Sequence, residues 1–261
     1  MKRKLLVLIP LLLSSHGTPA EPSPEQRGLE IATEAENRDK GFQNFVADLT
    51  MILRNRQGEE SVRFIHRKTL EVEEDGDKTL DVFRQPKDIK GTTILTYSHG
   101  LEQDDQWIFM PAIKRVKRIS SVNKSGPFMG SEFSYEDIAD QTLKKFHYKF
   151  LGNEVVDGHE CFMLERIPAY EYSGYTRQIE SMDTEIYQPR KITYYDRKGA
   201  LLKTLKFSGY EQYLGKHWRP NQMNMENHQS GKTTQLIWTN YEFQIAVTDL
   251  DFTQNSMKRI R

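Results

Sequence analysis

The sequence predicts a mainly β protein of the α+β class. One large antiparallel sheet is expected to curl into an incomplete barrel around an apolar cavity, covered by a few helices. Apolar and polar residues alternate along most of the chain, as they do in half-buried strands. Turn pairs such as Asp75-Gly76 and Asp157-Gly158 separate these runs and indicate hairpins in series. About ten strands are expected from this pattern, and so long a sheet tends to curl or close.

The first twenty residues have the pattern of a secretory signal peptide. Three basic residues precede an apolar run from Leu5 to Leu13, and the small residues Thr18 and Ala20 favour cleavage after Ala20. An uncleaved anchor is the alternative, but the apolar run is short of the roughly 20 residues that span a bilayer. We expect residues 1–20 to be a signal peptide and residues 21–261 to form a single domain on the far side of a membrane.

The first element after the signal peptide is predicted to be a helix. Ser23 is a good N-cap, Pro24 suits the first helical turn, and Gly41 ends the pattern after about Lys40. The period then changes to two, which indicates a strand. The apolar residues at alternate positions of this strand are Phe45, Ala47, Leu49, Met51 and Leu53.

A second helix and a loop are predicted in the middle of the chain. Ser134 and Asp137 form a capping-box-like start, and the helix is expected to run to about Lys145. Before it, Phe128 and Met129 stand in a loop flanked by glycines. The loop is either a lid over an apolar site or a segment anchored by burying both side chains.

Composition excludes several classes of protein. The chain has 37 basic and 37 acidic residues, which argues against a nucleic-acid binder. Its one cysteine, Cys161, excludes a disulfide scaffold and weakens the case for a structural zinc site. Cys161 is two residues from His159, but its apolar surroundings favour a packed core thiol over a nucleophile. We find no catalytic motif, and we predict neither an enzyme nor a bound metal or cofactor.

The densest positive run of the chain lies at residues 113–119. Its basic residues are predicted either to contact lipid head groups or an acidic partner, or to protect an edge strand from aggregation. The four residues are Lys114, Arg115, Lys117 and Arg118.

Several segments resemble the outer-membrane lipoprotein-sorting proteins of the LolA-like superfamily. The long motif consists of DQWIFMPA at 105–112, the basic run after it, and SGPFMGSEFSYED at 125–137. Later matches include PRK at 189–191 and YDRKG at 195–199. The similarity covers most of the chain after the signal peptide.

This resemblance implies a periplasmic protein with an incomplete barrel around an apolar cavity. Relatives of this fold carry the acyl chains of lipoproteins or lipids between membranes, which implies only transient membrane contact. The family is also associated with exporters of the RND superfamily, so an accessory subunit that docks on such an exporter without cargo is the alternative. On size, alternation and proximity to the motif, we predict these cavity residues: Phe83, Leu95, Trp107, Phe109, Phe128, Met129, Phe133, Met223 and Met225.

Overall fold

Helix α1, Pro24–Asp39, is the first element of the fold. A computed structural model describes residues 21–73 and 75–259, so the predicted signal peptide at 1–20 lies outside the described residues. The Ser23 hydroxyl accepts a hydrogen bond from the Gln26 backbone N–H, and the Gln26 side chain accepts one from the Ser23 backbone N–H. This capping box begins the helix at the predicted position. Among the described residues, no helix is long and apolar enough to span a membrane.

Thirteen antiparallel strands make up one sheet in the described part of the chain. Their bounds are β1 Asn44–Arg54, β2 Glu60–Leu70, β3 Lys78–Gln85, β4 Thr93–Tyr97, β5 Asp105–Met110, β6 Arg115–Ile119, β7 Phe146–Val156, β8 His159–Pro168, β9 Tyr175–Asp183, β10 Pro189–Asp196, β11 Leu201–Tyr213, β12 His217–Asn227 and β13 Thr233–Phe243. The order across the sheet is β6-β5-β4-β3-β2-β1-β13-β12-β11-β10-β9-β8-β7. The predicted number of about ten is too low because strands as short as β4 and β6 have too few alternating positions.

The sheet curls and stays open between its edge strands β6 and β7. The largest buried cluster combines side chains from both halves of the sheet, for example Phe83 of β3 and Tyr194 of β10. Side chains of such distant strands meet because one face of the sheet curves around them. We call this face the inner face. The incomplete barrel predicted from the sequence is confirmed.

The connection from β6 to β7, residues 120–145, packs against the inner face. Its buried residues Phe128 and Phe133 join the largest cluster. Lys203 of β11 donates from Nζ to Asp137 Oδ2 at 2.6 Å, and both side chains are almost fully buried. The loop is therefore anchored as in one of the two predicted alternatives, through Phe128, while Met129 is only half-buried.

Helix α2, Tyr135–Ile138, has one turn, so the predicted helix from Ser134 to Lys145 is wrong in length. Its capping box is present, but Ala139 adopts an extended conformation. The Gln141 side chain donates hydrogen bonds to the carbonyls of Glu136 and Ala139. These carbonyls are satisfied without further helical turns, which explains why the helix ends early.

The C-terminal segment, residues 244–259, covers part of the opposite, outer face. Phe252 and Met257 are fully buried there against Leu80 and Leu95. The Tyr97 hydroxyl donates a hydrogen bond to the Phe252 carbonyl. Strands β3 and β4 are therefore buried on both faces.

Candidate functional site

A cavity of about 380 Å³ lies between α1 and the strands β8 to β12. Ala32 and Ala35 of α1 form one wall, and residues 71–73, 75 and 77 together with the loop 140–143 line the sides. Small helix residues leave open the space that larger side chains would fill. The remaining wall consists of side chains from the strands.

Helix α1 bounds this cavity and packs directly on β7 and β8. Ile31 of α1 is buried against Leu164 and Met182. Gly28 allows the close approach: a Cβ atom at this position would lie 2.8 Å from the Phe150 backbone nitrogen. The helix position therefore depends on a residue without a side chain.

Apolar side chains from three neighbouring strands form the cavity floor. Leu205 and Phe207 are two residues apart on β11 and therefore share a face. Ile192 of β10 lies opposite Leu205, and Met223 of β12 lies opposite Phe207. The register thus brings four apolar side chains to one surface of the cavity.

A buried arginine adds a polar group to the cavity wall. Arg166 Nη1 lies 3.2 Å from Glu180 Oε2, and Arg166 Nη2 donates to the Gln178 side chain. The guanidinium carbon lies 4.7 Å from the centroid of the Phe146 ring. Arg166 is only 7% exposed, and its Nε–H has no acceptor in the described part of the chain. A buried donor without an acceptor costs about 1–3 kcal/mol, and this N–H has almost no surface from which a ligand could reach it.

Two aspartates lie close together at the side of the cavity. The backbone N–H of Asp77 donates to Asp140 Oδ2 at 3.4 Å. Burial, reinforced by the charge of Asp140, raises the pKa of Asp77 to about 8. Burial also raises the pKa of Asp140. One of the pair therefore holds a proton at neutral pH, which lowers the negative charge of the cavity.

These features suit an amphipathic ligand. The floor of β10 to β12 offers apolar contact area, and Arg166 and the Asp77–Asp140 pair offer polar contacts on other walls. Acidic side chains outnumber basic ones in the rest of the lining, so the apolar floor is the part of the cavity that suits a hydrocarbon chain.

Comparisons with known proteins identify the family. Residues 75–259 match the model of a family of uncharacterized proteins. The chain is 50% identical to an outer membrane lipoprotein-sorting protein domain from Vibrio parahaemolyticus, with a TM-score of 0.88 over 90% of this chain and 100% of that one. The chain belongs to this family of outer-membrane lipoprotein-sorting proteins. It is also 31% identical to a DUF1329 family protein from Desulfovibrio piger. The TM-score is 0.86, and the match covers 90% of this chain and 100% of that one.

The lipoprotein-sorting family shares its fold with the LolA superfamily. A LolA superfamily protein from Nitrosomonas europaea is 20% identical and has a TM-score of 0.71, over 88% of this chain and 98% of that one. The resemblance predicted from the sequence is thereby confirmed. Docking on an RND-superfamily exporter gains no support from these comparisons. No curated protein matches the chain significantly.

Six of the nine predicted cavity residues belong to the inner cluster of this lipoprotein-sorting fold. Four of the six are buried in it, and Met129 and Met223 pack against it half-buried. Met223 lines the cavity beneath α1. The four buried residues are Phe83, Phe128, Phe133 and Met225.

The other three predicted residues lie on the outer face. Leu95 and Phe109 are buried beneath the C-terminal segment, and Trp107 packs against the same cluster. Both faces of β4 are buried, so neighbouring Ile94 and Leu95 are equally apolar although they point in opposite directions. Alternation therefore does not indicate which of them faces inward. The floor residues Ile192, Leu205 and Phe207 were not predicted, because only the register across β10 to β12 brings them together.

The predicted basic run forms a turn and the edge strand β6. Lys114 has a left-handed backbone conformation just before the strand. Arg115, Lys117 and Arg118 lie in β6 and are exposed, and Arg118 forms an ion pair with Asp105. This placement agrees with the edge-strand interpretation of the run. A contact of these basic residues with lipid head groups or an acidic partner stays a prediction.

Proposed function

We propose that this protein is a periplasmic carrier that binds acyl chains of lipoproteins or lipids in the cavity beneath α1. The observation that carries the proposal is the apolar floor of that cavity in a chain 50% identical to an outer membrane lipoprotein-sorting protein domain. Transfer would run towards the outer membrane. Of the residues predicted from the sequence, Met223 is the one that we propose contacts the cargo.

Burial of an acyl chain provides the binding energy for such a carrier. Each CH₂ group moved from water into an apolar cavity contributes about 0.8 kcal/mol. The guanidinium of Arg166, which is part of the cavity lining, would contact a carbonyl oxygen of the acylated cargo. The cavity thus offers contacts to both parts of an acyl group.

The proposal includes export of the chain and a role without catalysis. Residues 1–20 would be removed as a signal peptide, and residues 21–261 would be the exported domain. Burial, with the nearby charge of Asp183, raises the pKa of the Cys161 thiol to about 11. A fully buried thiol with a raised pKa is a poor nucleophile, which supports a binding role for the surrounding structure.

Cargo can be detected directly in protein purified from the periplasm without detergent. Native mass spectrometry should show an additional mass that organic solvent extracts as a lipid or an acylated peptide. A bare protein mass that does not change when lipids are offered would overturn the proposal.

A substitution that fills the cavity tests its location. Ala35→Phe places an aromatic ring into the cavity from α1 and should reduce uptake of a fluorescent fatty acid by at least about tenfold, the equivalent of 1.4 kcal/mol. Asn37→Phe is the matched control, because Asn37 is exposed on the same helix. Equal uptake by both variants would place the binding site elsewhere.

A further inference from the structure

A second pocket, of about 520 Å³, lies where the β3–β4 and β5–β6 hairpins turn. Phe109 and Pro111 provide its apolar surface, and Phe83 at its wall is fully buried. Its lining shares no residue with the cavity beneath α1. The second pocket is thus a separate site with its own apolar surface.

Four cationic side chains surround this apolar surface. They are Arg84, Lys90, Lys114 and Lys258, and none of the described residues that line the pocket is Asp or Glu. Arg84 also interacts electrostatically with Asp48. The surplus of positive charge is therefore attributed to the three lysines, which come from the β3–β4 turn, the β5–β6 turn and the C-terminal segment.

The arrangement is complementary to an anionic amphiphile. Like charges around one pocket repel each other, and an anionic group among them relieves this repulsion. An apolar lining adds nothing to the binding of a small soluble anion, but it favours a ligand with a hydrocarbon portion beside its charge. The adjacent edge strand β6 extends the positive surface with Arg115 and Lys117. Such a surface is attracted to a membrane that contains anionic lipids.

We propose that this pocket binds the phosphate head group and the first part of an acyl chain of an anionic membrane lipid, and so docks the protein at a membrane surface. The site is distinct from the proposed cargo cavity, and lipid binding here does not depend on cargo binding there. It gives the basic residues of this edge a function besides protection of an edge strand.

Vesicle binding by the purified protein tests this proposal. Vesicles of phosphatidylcholine with about one third phosphatidylglycerol should bind the protein, and vesicles of pure phosphatidylcholine should not. The combined variant Lys90→Gln, Lys114→Gln and Lys258→Gln should bind the anionic vesicles about a hundredfold more weakly, since each lysine near an anionic surface contributes roughly a factor of five.

A control variant separates a specific pocket from overall charge. The combined variant Lys144→Gln, Lys198→Gln and Lys232→Gln removes the same number of charges from exposed positions outside the pocket. It should bind the anionic vesicles within about threefold of the unmodified protein. Equal losses in both combined variants would overturn the proposal, because net charge alone would then explain the binding.

Soluble probes distinguish a lipid site from a site for free phosphate. Dodecyl phosphate, below its micellar concentration, should raise the melting temperature of the unmodified protein more than that of the Lys90, Lys114 and Lys258 variant. Inorganic phosphate at the same concentration should have no such effect. Equal stabilisation by inorganic phosphate would overturn the lipid assignment. The pocket variant should still take up fatty acid, whereas Ala35→Phe should still bind vesicles, so each of the two proposals can fail without the other.

Discussion

Asp77 and Asp140 link the stability of the protein to pH. Because the pKa of Asp77 rises from 3.8 to about 8 on folding, the folded protein holds a proton on Asp77 that the unfolded chain releases at lower pH. The free energy of unfolding should therefore decrease as the pH rises from about 4 to about 8. In the cavity, this proton removes one of several negative charges from an acidic wall.

Asp77→Asn tests this linkage because asparagine imitates the protonated carboxyl group. The variant should have the same free energy of unfolding as the unmodified protein near pH 4. At pH 8.5 its free energy of unfolding should be at least about 1 kcal/mol higher, which is roughly the energy of a pKa shift of one unit. Urea denaturation across this pH range measures the difference. Glu102→Gln, at an exposed turn, is the control and should follow the unmodified protein. Parallel curves for Asp77→Asn and the unmodified protein would contradict the pKa assignment.

Phe128 shows that a loop residue can belong to the core. It is 1% exposed and its ring centroid lies 6.2 Å from that of Phe83. Phe128→Ala should lower the free energy of unfolding by about 3–5 kcal/mol, as large truncations in a core do. Met129 is the next residue and is half-buried, so Met129→Ala should lower the free energy of unfolding by clearly less than Phe128→Ala. Chemical denaturation gives both values, and a larger cost at Met129 would show that the loop is anchored differently.

Helix α1 depends on close contact with β7. Gly28→Ala would increase helix propensity by about 1 kcal/mol, but its Cβ would lie 2.8 Å from the Phe150 backbone nitrogen. Because backbone atoms cannot move aside easily, we expect a net loss of about 1–3 kcal/mol in the free energy of unfolding. Asn37→Ala, on the exposed side of the same helix, should instead be neutral or slightly stabilising. A stabilised Gly28→Ala variant would mean that α1 can shift away from the sheet.

Elements with a strong local signal were predictable from the sequence. The capping box at Ser23 and the alternation in β1 are local patterns, and both are present in the structure. The end of α2 was not predictable, because it depends on hydrogen bonds from Gln141. The cavity floor was missed for a similar reason: the positions of Leu205 and Phe207 relative to their neighbours depend on strand register. Alternation within one strand shows which side chains share a face, but not which residues of the neighbouring strands lie opposite them.

At the scale of the whole molecule, the connection between β6 and β7 determines where a cavity can exist. Residues 120–145 fill part of the inner face with Phe128 and Phe133, and Lys203 holds this segment through Asp137. Space remains where the small residues of α1 face β10 to β12. The proposed cargo cavity and the second pocket are thus separate parts of one curled sheet, which would allow cargo binding and membrane docking to occur together.

The pairing of β1 with β13 has a consequence for how the chain folds. Every other neighbouring pair in the sheet is consecutive in sequence, whereas Phe45 of β1 lies opposite Phe243 of β13. Contacts between such distant residues form slowly because a long loop must first close. The two halves can form hairpins early, but the centre of the sheet is completed only when the last strand is available. A chain that threads through an export channel from its N-terminus would therefore acquire its final structure only after nearly all of it has crossed.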